Sequence, residues 1–442
     1  MSDTAAGKED GEALELETGM ALQGTIRVPG DKSISHRALL LAARADGVSV
    51  LRGLSPGDDV LRTRAAVEAM GATIEPGTNG ERVAGGVDRL HEPEGVLDVG
   101  NSGTSMRLLA GFCASLPWLT VLEGDRSLSA RPMDRVTVPL RTMGAAVDGR
   151  GGGRLPPLVV RGGSLRGIDF TPPVASAQVK SCVLLAGLGA KGETVVREPV
   201  ATRAHTEELL AACGADVKAQ RVGGATVVRL RASPLLPFEV DVPGDPSQAA
   251  FWVVAACITP GSEVVIEDVY LGPGRTGYLD VLKRMGADIE VEVAGEGPAG
   301  RRGTIRARHS PLSATDVGGA EVPGLIDEIP VLAVAAALAN GMTTFRDAAE
   351  LRVKESDRVS AVVRELGAMG ARLEPREDGF VVVGSGGAPL RGATVCSHGD
   401  HRVAMALAVA ALMAEEATRI EGWGAVATSY PGFAEVLQAC VS

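Results

Sequence analysis

Apolar runs with helical spacing recur along the chain, and each begins at a polar residue and leads into a short run with strand-like spacing. The polar starts lie near Ser33, Thr104, Ser176, Ser247, Asp327 and His401. The strand-like runs cover residues 48–51, 119–122, 194–196, 264–266 and 343–345, with a weaker one at 417–420. Because these helices are apolar nearly all round, we predict that they are buried inside their domains.

A second kind of helix alternates with the first and ends in Gly-Ala, followed at once by a short strand. The glycines are Gly71, Gly144, Gly214, Gly286 and Gly370. Glycine tolerates the left-handed backbone conformation that ends a helix. A further helix is predicted near residues 433–440. The two patterns together predict six α/β units of about 72 residues each, three in each of two similar domains.

A repeated hexapeptide suggests where the chain passes between the domains. The sequence Val-Pro-Gly-Asp-Lys-Ser at residues 28–33 returns as Val-Pro-Gly-Asp-Pro-Ser at 242–247. We therefore predict one domain over residues 29–241 and a second over 21–28 plus 242–442, able to close over a substrate by hinge motion. The acidic, polar residues 1–20 are predicted to be a disordered tail and lack the pattern of a signal peptide.

Composition narrows the class of protein. The 442 residues carry a formal net charge of −11, which argues against a nucleic-acid partner. An apolar stretch of about 18 residues, the length that spans a membrane, is missing from the sequence. The six cysteines form no C-x-x-C pair and are predicted to be small buried hydrophobes in a reducing, cytoplasmic setting. The six histidines lack metal-ligand spacing, so we expect no metal.

Cations cluster at or near the starts of the buried helices. They are Lys32, Arg37, Arg131, Arg203, Lys354, Arg358 and Arg402. Each taken singly is better explained as a solvated surface charge. Taken together they suit substrates with several negative charges, because helix N-termini and guanidinium groups both favour phosphate and carboxylate.

Several motifs resemble those of the 5-enolpyruvylshikimate-3-phosphate synthases (3-phosphoshikimate 1-carboxyvinyltransferases) of the enolpyruvyl transferase family, over residues 22–440. The motifs are Pro-Gly-Asp-Lys-Ser-Ile-Ser-His-Arg at 29–37, Gly-Asn-Ser-Gly-Thr at 100–104, Arg-Pro-Met at 131–133, Ser-Ala-Gln-Val-Lys at 176–180, the stretch 351–358, and Asp-His-Arg at 400–402. The resemblance implies an inside-out α/β barrel in each domain, built from three βαβαββ-like repeats with buried helices, and an active site in the cleft between the domains. It also implies a place in the shikimate pathway, towards chorismate and the aromatic amino acids.

The resemblance assigns binding roles residue by residue. Shikimate 3-phosphate would be held by Lys32, Ser33, Arg37, Ser176, Ala177, Gln178, Arg203, Asp327 and Lys354. Phosphoenolpyruvate would be held by Lys32, Asn101, Gly103, Arg131, Gln178, Arg358 and Arg402. Asp327 is the candidate for the substrate hydroxyl, and Lys32 and Glu355 are the candidates for the other proton transfers. The family is usually monomeric and implies no cofactor.

The sequence departs from the family pattern at one position, and it leaves two alternative functions open. Many family members have a lysine where this chain has Thr428, which puts one phosphate contact in doubt. Gly103 leaves room where some glyphosate-tolerant relatives have alanine, so inhibition by glyphosate is expected. The first alternative is the sister transferase that acts on UDP-N-acetylglucosamine, whose loop cysteine is absent from residues 124–131 here. The second is a non-catalytic protein on the same fold.

Overall fold

The computed structural model describes residues 12–18 and 21–440. The helices are α1 (Lys32–Arg44), α2 (Asp58–Ala69), α3 (Gly103–Ala114), α4 (Asp134–Met143), α5 (Arg150–Gly153), α6 (Ala177–Gly187), α7 (His205–Ala212), α8 (Pro246–Ile258), α9 (Gly277–Arg284), α10 (Ile329–Leu338), α11 (Arg358–Ala368), α12 (His401–Ala411) and α13 (Phe433–Cys440). Short 3-10 turns cover Leu128–Ala130, Gly319–Gly324, Ala349–Val353 and Trp423–Thr428.

The strands alternate with these helices along the chain. They are β1 (Ala13–Leu16), β2 (Gln23–Ile26), β3 (Gly47–Arg52), β4 (Thr73–Gly77), β5 (Gly80–Gly85), β6 (Leu97–Asp98), β7 (Leu119–Glu123), β8 (Ala146–Gly149), β9 (Leu155–Arg161), β10 (Leu165–Arg166), β11 (Asp169–Phe170), β12 (Ala190–Lys191), β13 (Glu193–Glu198), β14 (Asp216–Val222), β15 (Ala225–Arg231), β16 (Glu239–Asp241), β17 (Glu263–Tyr270), β18 (Asp288–Gly297), β19 (Gly300–Arg308), β20 (Asp316–Val317), β21 (Met342–Phe345), β22 (Arg372–Arg376), β23 (Gly379–Val383), β24 (Thr394–Cys396) and β25 (Thr418–Glu421).

The predicted repeat is present as a repeated sheet topology. In a typical sheet, β6 pairs parallel with β7, β7 pairs antiparallel with β9, and β9 pairs antiparallel with β8. The equivalent strand orders are β16-β3-β5-β4, β11-β13-β15-β14, β18-β19-β17-β2 and β20-β21-β23-β22, with a shorter sheet β1-β25-β24. The predicted strand-like runs fall in β3, β7, β13, β17, β21 and β25, so the repeat is confirmed.

The first helix of each unit lies inside its half of the molecule, behind the sheets. Helices α1, α3 and α6 pack against one another, as do α8, α10 and α12. Every residue of α8 and of α10 is buried, and so is every residue of α12. The predicted burial of these helices is confirmed, and the arrangement is that of an inside-out α/β barrel. The Gly-Ala ends are also confirmed, since Gly144 closes α4 with a φ of 110°.

Buried apolar side chains of the described residues form two clusters. One is drawn from residues 34–242 together with Tyr270 and Ala299, and the other from residues 16–28 and 249–440. The division at residues 29–241 and 21–28 plus 242–442 stays a prediction, and Val242, Tyr270 and Ala299 depart from it by packing in the first cluster. We call the first cluster with its elements the first half and the second the second half.

The repeated hexapeptide forms the crossing between the halves. Gly30 and Gly244 make an antiparallel bridge. The Asp31 N–H donates to the Pro243 carbonyl at 2.7 Å, and the Asp245 N–H donates to the Pro29 carbonyl at 2.8 Å. The two crossing strands therefore support each other, which makes them suitable as a hinge.

The expectation for the N-terminal segment needs a correction. Residues 13–16 form β1, which pairs antiparallel with β25 in the last sheet. The predicted disordered tail over residues 1–20 is wrong for this strand, because the alternation of Ala13, Leu14 and Leu16 with acidic residues was too short to stand out in an acidic segment. Residues 1–11 and 19–20 lie outside the described residues.

Within residues 12–18 and 21–440, every helix is too short or too polar to cross a membrane.

Candidate active site

A cleft of about 280 Å³ lies between the two halves, and helix starts from both halves open onto it. It is lined by these residues from the sequence prediction: Lys32, Ser33, Gly103, Arg131, Ser176, Ala177, Gln178, Arg203, Asp327, Lys354, Glu355, Arg358 and Arg402. Side chains that are up to 370 residues apart in the sequence thus share one crevice.

The helix starts are held in place by caps. The Asp31 carboxylate accepts from the Ile34 N–H of α1 at 2.8 Å, and Ser102 caps α3 through the Ser105 N–H at 3.1 Å. Asp400 caps α12 through the Arg402 N–H at 2.9 Å. Capped helix starts point free N–H groups and a positive dipole end into the cleft, which favours bound anions.

Asp327 sits among cations from both halves. Its Oδ2 accepts from Arg203 Nη2 at 2.6 Å, and its Oδ1 lies 3.2 Å from Lys354 Nζ and 3.3 Å from Arg358 Nη1. Burial alone would raise the pKa of this carboxyl group. The surrounding Lys354, Arg402, Arg203 and Arg358 outweigh that effect and hold the pKa well below its usual range.

Glu355 has a similar environment and shares Arg358 with Asp327. Its Oε2 accepts from Arg358 Nη2 at 2.6 Å, and its Oε1 lies 3.4 Å from Arg131 Nη1. Burial opposes ionisation, but Arg358 and Arg131 hold the pKa of Glu355 well below its usual range. Arg358 therefore bridges the two candidate catalytic carboxylates, with Asp400 fixing its Nε at 2.8 Å.

Lys32 pairs with a carboxylate that sequence reasoning missed. Its Nζ lies 2.9 Å from Asp59 Oδ2 on α2. Burial raises the pKa of Asp59 despite the neighbouring ammonium group. Asp59 lay in the second, more polar kind of helix, where an acidic residue in the first turn looks like ordinary helix capping.

Arg37 lies next to the cleft, and its predicted contact with shikimate 3-phosphate stays a prediction. Its side chain is 2% exposed and lies beneath the cleft wall. The guanidinium donates to Ser33 O at 2.7 Å, Thr206 Oγ1 at 2.7 Å and Ser181 Oγ at 2.6 Å. Arg37 lies one helical turn after Ser33 on the same face of α1, and at that depth its side chain supports the wall from behind.

Arg107, which sequence reasoning also missed, contacts the predicted site residue Gln178. Arg107 Nη1 donates to Gln178 Oε1 at 2.8 Å, and Gln178 Nε2 donates to Thr104 Oγ1 at 2.9 Å. Burial lowers the pKa of Arg107 to about 10. The signal for Arg107 was present, since it lies four residues after Gly103 and so on the same face of α3.

Asn101 lies beside the cleft, and its predicted contact with phosphoenolpyruvate stays a prediction. It lines a neighbouring cavity of about 1070 Å³ together with Thr428, and Glu355 lines both this cavity and the cleft. Asn101 still reaches the cleft indirectly, because its O accepts from Arg131 Nη1 at 3.4 Å.

A salt bridge spans the mouth of the cleft. Arg135 of α4 donates from Nη1 and Nη2 to the two oxygens of Glu350, at 2.9 and 2.7 Å. Sequence reasoning missed both residues, because a surface charge pair from distant units has no local signature.

Grouped histidine, cysteine and acidic side chains with metal-binding geometry are not found among residues 12–18 and 21–440.

Comparison with known proteins extends this picture. The family profile described as EPSP synthase (3-phosphoshikimate 1-carboxyvinyltransferase) matches residues 16–437. The 3-phosphoshikimate 1-carboxyvinyltransferase of Synechococcus sp. (strain JA-3-3Ab) is 51% identical, with 98% of this chain and 97% of the relative covered. That of Gloeobacter violaceus is 53% identical, with 97% of this chain and 98% of the relative covered.

Solved structures agree with the fold. The enolpyruvyl transferase NikO from Streptomyces tendae has a TM-score of 0.78 at 20% identity, covering 97% of this chain and 98% of that chain. EPSP synthase from Acinetobacter baumannii has a TM-score of 0.85 at 42% identity, with the same two coverages. The fold is that of the EPSP synthase and enolpyruvyl transferase structures. The full-length match goes further, and the chain belongs to the EPSP synthase family. The predicted family and fold class are confirmed.

Proposed function

We propose that this enzyme transfers the carboxyvinyl group of phosphoenolpyruvate to the 5-hydroxyl of shikimate 3-phosphate, releasing phosphate. Family membership supports the reaction. The observation that carries it is the convergence of Asp327 and Glu355 on one cleft with cations from both halves. A cleft of this kind suits two anionic substrates and a reaction that moves protons.

Each substrate is proposed to occupy its own part of the cleft. The phosphate of shikimate 3-phosphate would meet Arg203 and the α6 start at Ser176, Ala177 and Gln178. Its ring and hydroxyls would meet Lys32, Ser33, Asp327 and Lys354. Phosphoenolpyruvate would lie against Lys32, Gly103, Arg131, Gln178, Arg358 and Arg402. Arg37 is proposed to contact shikimate 3-phosphate beside Ser33, and Asn101 to contact phosphoenolpyruvate beside Arg131.

The reaction is addition followed by elimination. The 5-hydroxyl oxygen bonds to C2 of phosphoenolpyruvate and loses its proton, while C3 gains a proton and becomes a methyl group. The tetrahedral intermediate then loses phosphate from C2 and a methyl proton from C3, which restores the double bond. Asp327 is the proposed base for the hydroxyl, and Lys32 and Glu355 are the proposed groups for the other proton transfers.

Substrate binding would tune these carboxylates. Arg203 pairs with Asp327, and Arg131 pairs with Glu355. A substrate phosphate or carboxylate would compete for those guanidinium groups. The pKa of each carboxyl group would then rise from its depressed value towards the range useful for proton transfer. The site is therefore expected to become a better acid–base catalyst when it is filled.

A phosphate-release assay with both substrates tests the proposal. We expect release that depends on shikimate 3-phosphate and does not occur when UDP-N-acetylglucosamine replaces it. Release with the UDP-sugar would favour the sister transferase. Release with neither acceptor would favour the non-catalytic alternative and overturn the proposal. Inhibition by millimolar glyphosate stays a prediction that the same assay checks.

The working unit is proposed to be a cytoplasmic monomer that uses no cofactor. Both walls of the cleft come from a single chain, so a second copy is not needed to complete it. Light scattering at the concentrations used for the assay would test the monomer, and a stable dimer would contradict it.

A further inference from the structure

The motif at residues 176–180 places its first residues on the cleft wall and its last residue behind it. Ser176, Ala177 and Gln178 line the cleft. Lys180 lies deeper in α6, where its side chain is 1% exposed. A lysine buried to this degree is costly unless its charge is compensated.

Two carboxylates compensate Lys180. Its Nζ lies 2.8 Å from Glu198 Oε2 and 2.7 Å from Glu207 Oε1, and those side chains are 2% and 8% exposed. Glu198 is the last residue of β13, and Glu207 lies in the first turn of α7. The ammonium group therefore joins α6 to both elements that flank residues 199–204.

A further contact reaches the middle of that loop. The Thr202 hydroxyl donates to Glu198 Oε1, the oxygen that Lys180 does not use. We call Lys180, Glu198, Thr202 and Glu207 the Lys180 cluster. It holds residues 199–204 at both ends and near the centre.

The loop carries Arg203, directly after Thr202. Arg203 Nη2 reaches Asp327 at 2.6 Å, and Nη1 reaches Ser33 Oγ at 3.3 Å. Arg203 and the start of α6 are the two parts of the proposed phosphate site, and the Lys180 cluster connects them directly.

Neighbouring residues brace the same elements. Ser181, next to Lys180, lies 2.7 Å from the hydroxyl of Thr206, next to Glu207. Arg37 donates to both hydroxyls. The cluster is thus part of a polar layer that lies under the cleft wall.

We propose that Lys180 is a positioning residue, which fixes Arg203 relative to the start of α6 so that both bind the phosphate of shikimate 3-phosphate. The inference rests on the proposed function and deepens it. Without the ammonium group, Glu198 and Glu207 would repel each other, and the loop would lose its attachment to α6. Affinity for shikimate 3-phosphate would fall, whereas the phosphoenolpyruvate end of the cleft would keep its contacts.

The test compares Lys180→Met with Arg44→Met. Arg44 is a buried cation of the same half that donates to Ser115 Oγ at 2.8 Å and Leu188 O at 3.1 Å, away from the cleft. Thermal unfolding, both KM values and calorimetric binding of shikimate 3-phosphate are measured for each. For Lys180→Met we expect the KM and Kd for shikimate 3-phosphate to rise about tenfold or more, with the KM for phosphoenolpyruvate changed less than about threefold. Arg44→Met is expected to lose stability and keep both KM values within about twofold.

Glu198→Gln is the second variant, since it keeps the shape and the acceptor for Thr202 while removing one charge. It is expected to show the same selectivity with a smaller effect, and it decides the matter if Lys180→Met does not fold. Equal changes in both KM values, or none, would overturn the inference. Failure of the wild-type enzyme to release phosphate would instead overturn the proposed function.

Discussion

The two walls of the cleft differ in charge. The wall from the first half is dominated by cations, which are Lys32, Arg107, Arg131, Arg135 and Arg203, with Asp59 as an acidic neighbour. The wall from the second half mixes Arg275, Lys354, Arg358 and Arg402 with the acidic residues Asp245, Asp327, Asp347, Glu350 and Glu355. The first wall is thus mainly cationic and suits anions, whereas the second carries both signs and two of the three proposed proton-transfer groups, Asp327 and Glu355.

Three ion pairs join the two walls across the cleft. Arg131 pairs with Glu355, Arg135 with Glu350 and Arg203 with Asp327, each across the cleft. Anionic substrates would compete with Glu355 and Asp327 for Arg131 and Arg203, whereas the Arg135–Glu350 pair joins the two walls at the mouth of the cleft. Arg131 and Arg203 would therefore both join the walls and bind substrate.

The largest effect is expected from the acidic residues of the second wall. Asp327→Asn and Glu355→Gln should each lower kcat by about 10²–10⁴-fold, the range typical of general acid–base catalysis. Steady-state kinetics with both substrates measures this, and circular dichroism checks that the fold is kept. Near-normal turnover in both variants would mean that the proton-transfer groups lie elsewhere.

A cation of the first wall should act on binding instead. Arg131→Met removes a guanidinium group near the proposed phosphoenolpyruvate site. We expect the KM for phosphoenolpyruvate to rise about 10–100-fold, since a hydrogen bond to a charged group contributes about 1.5–3 kcal/mol. A fall in kcat with an unchanged KM would contradict the assignment of Arg131 to substrate binding.

A smaller effect is expected at the mouth of the cleft. Glu350→Gln keeps the shape of the Arg135 contact and removes its charge, so KM values should rise about 1.5–5-fold, as for a partly exposed ion pair. The hydrogen bond with Arg135 lowers the pKa of Glu350. The contribution of the pair is therefore present at neutral pH and lost as the pH falls through that lowered pKa. Kinetics at low and high salt would check it, because salt should weaken the wild type more than the variant.

The smallest effect concerns stability at the back of the molecule, where the halves also touch. Tyr270 lies on β17 but packs in the buried cluster of the first half, and its OH donates to Glu208 at 3.1 Å. Burial raises the pKa of Glu208 to about 7. A carboxyl group with a raised pKa destabilises the fold as the pH rises through that value. Glu208→Gln should therefore unfold about 2–4 °C higher than wild type at pH 8. The difference should vanish near pH 4.5, and a difference independent of pH would contradict this assignment.

Much of the fold could be predicted from the sequence, because each repeat has a local pattern of apolar and polar residues. The apolar helices that start near Ser33 and Ser176, and the alternating helices that end in Gly-Ala pairs, can be predicted without tertiary information. Most of the cleft could also be predicted, since its residues cluster at those starts. Arg37 could not be placed, because its depth depends on how α1, α6 and α7 pack. Arg135 and Glu350 were missed for the same reason, as each is an ordinary surface residue until the halves meet.

The pairing of β1 with β25 has a consequence for synthesis on the ribosome. The first half is one continuous stretch and can fold while translation is still under way. Strand β1 is made some 400 residues before its partner β25. The last sheet of the second half therefore cannot be completed until β25 has been made and pairs with β1.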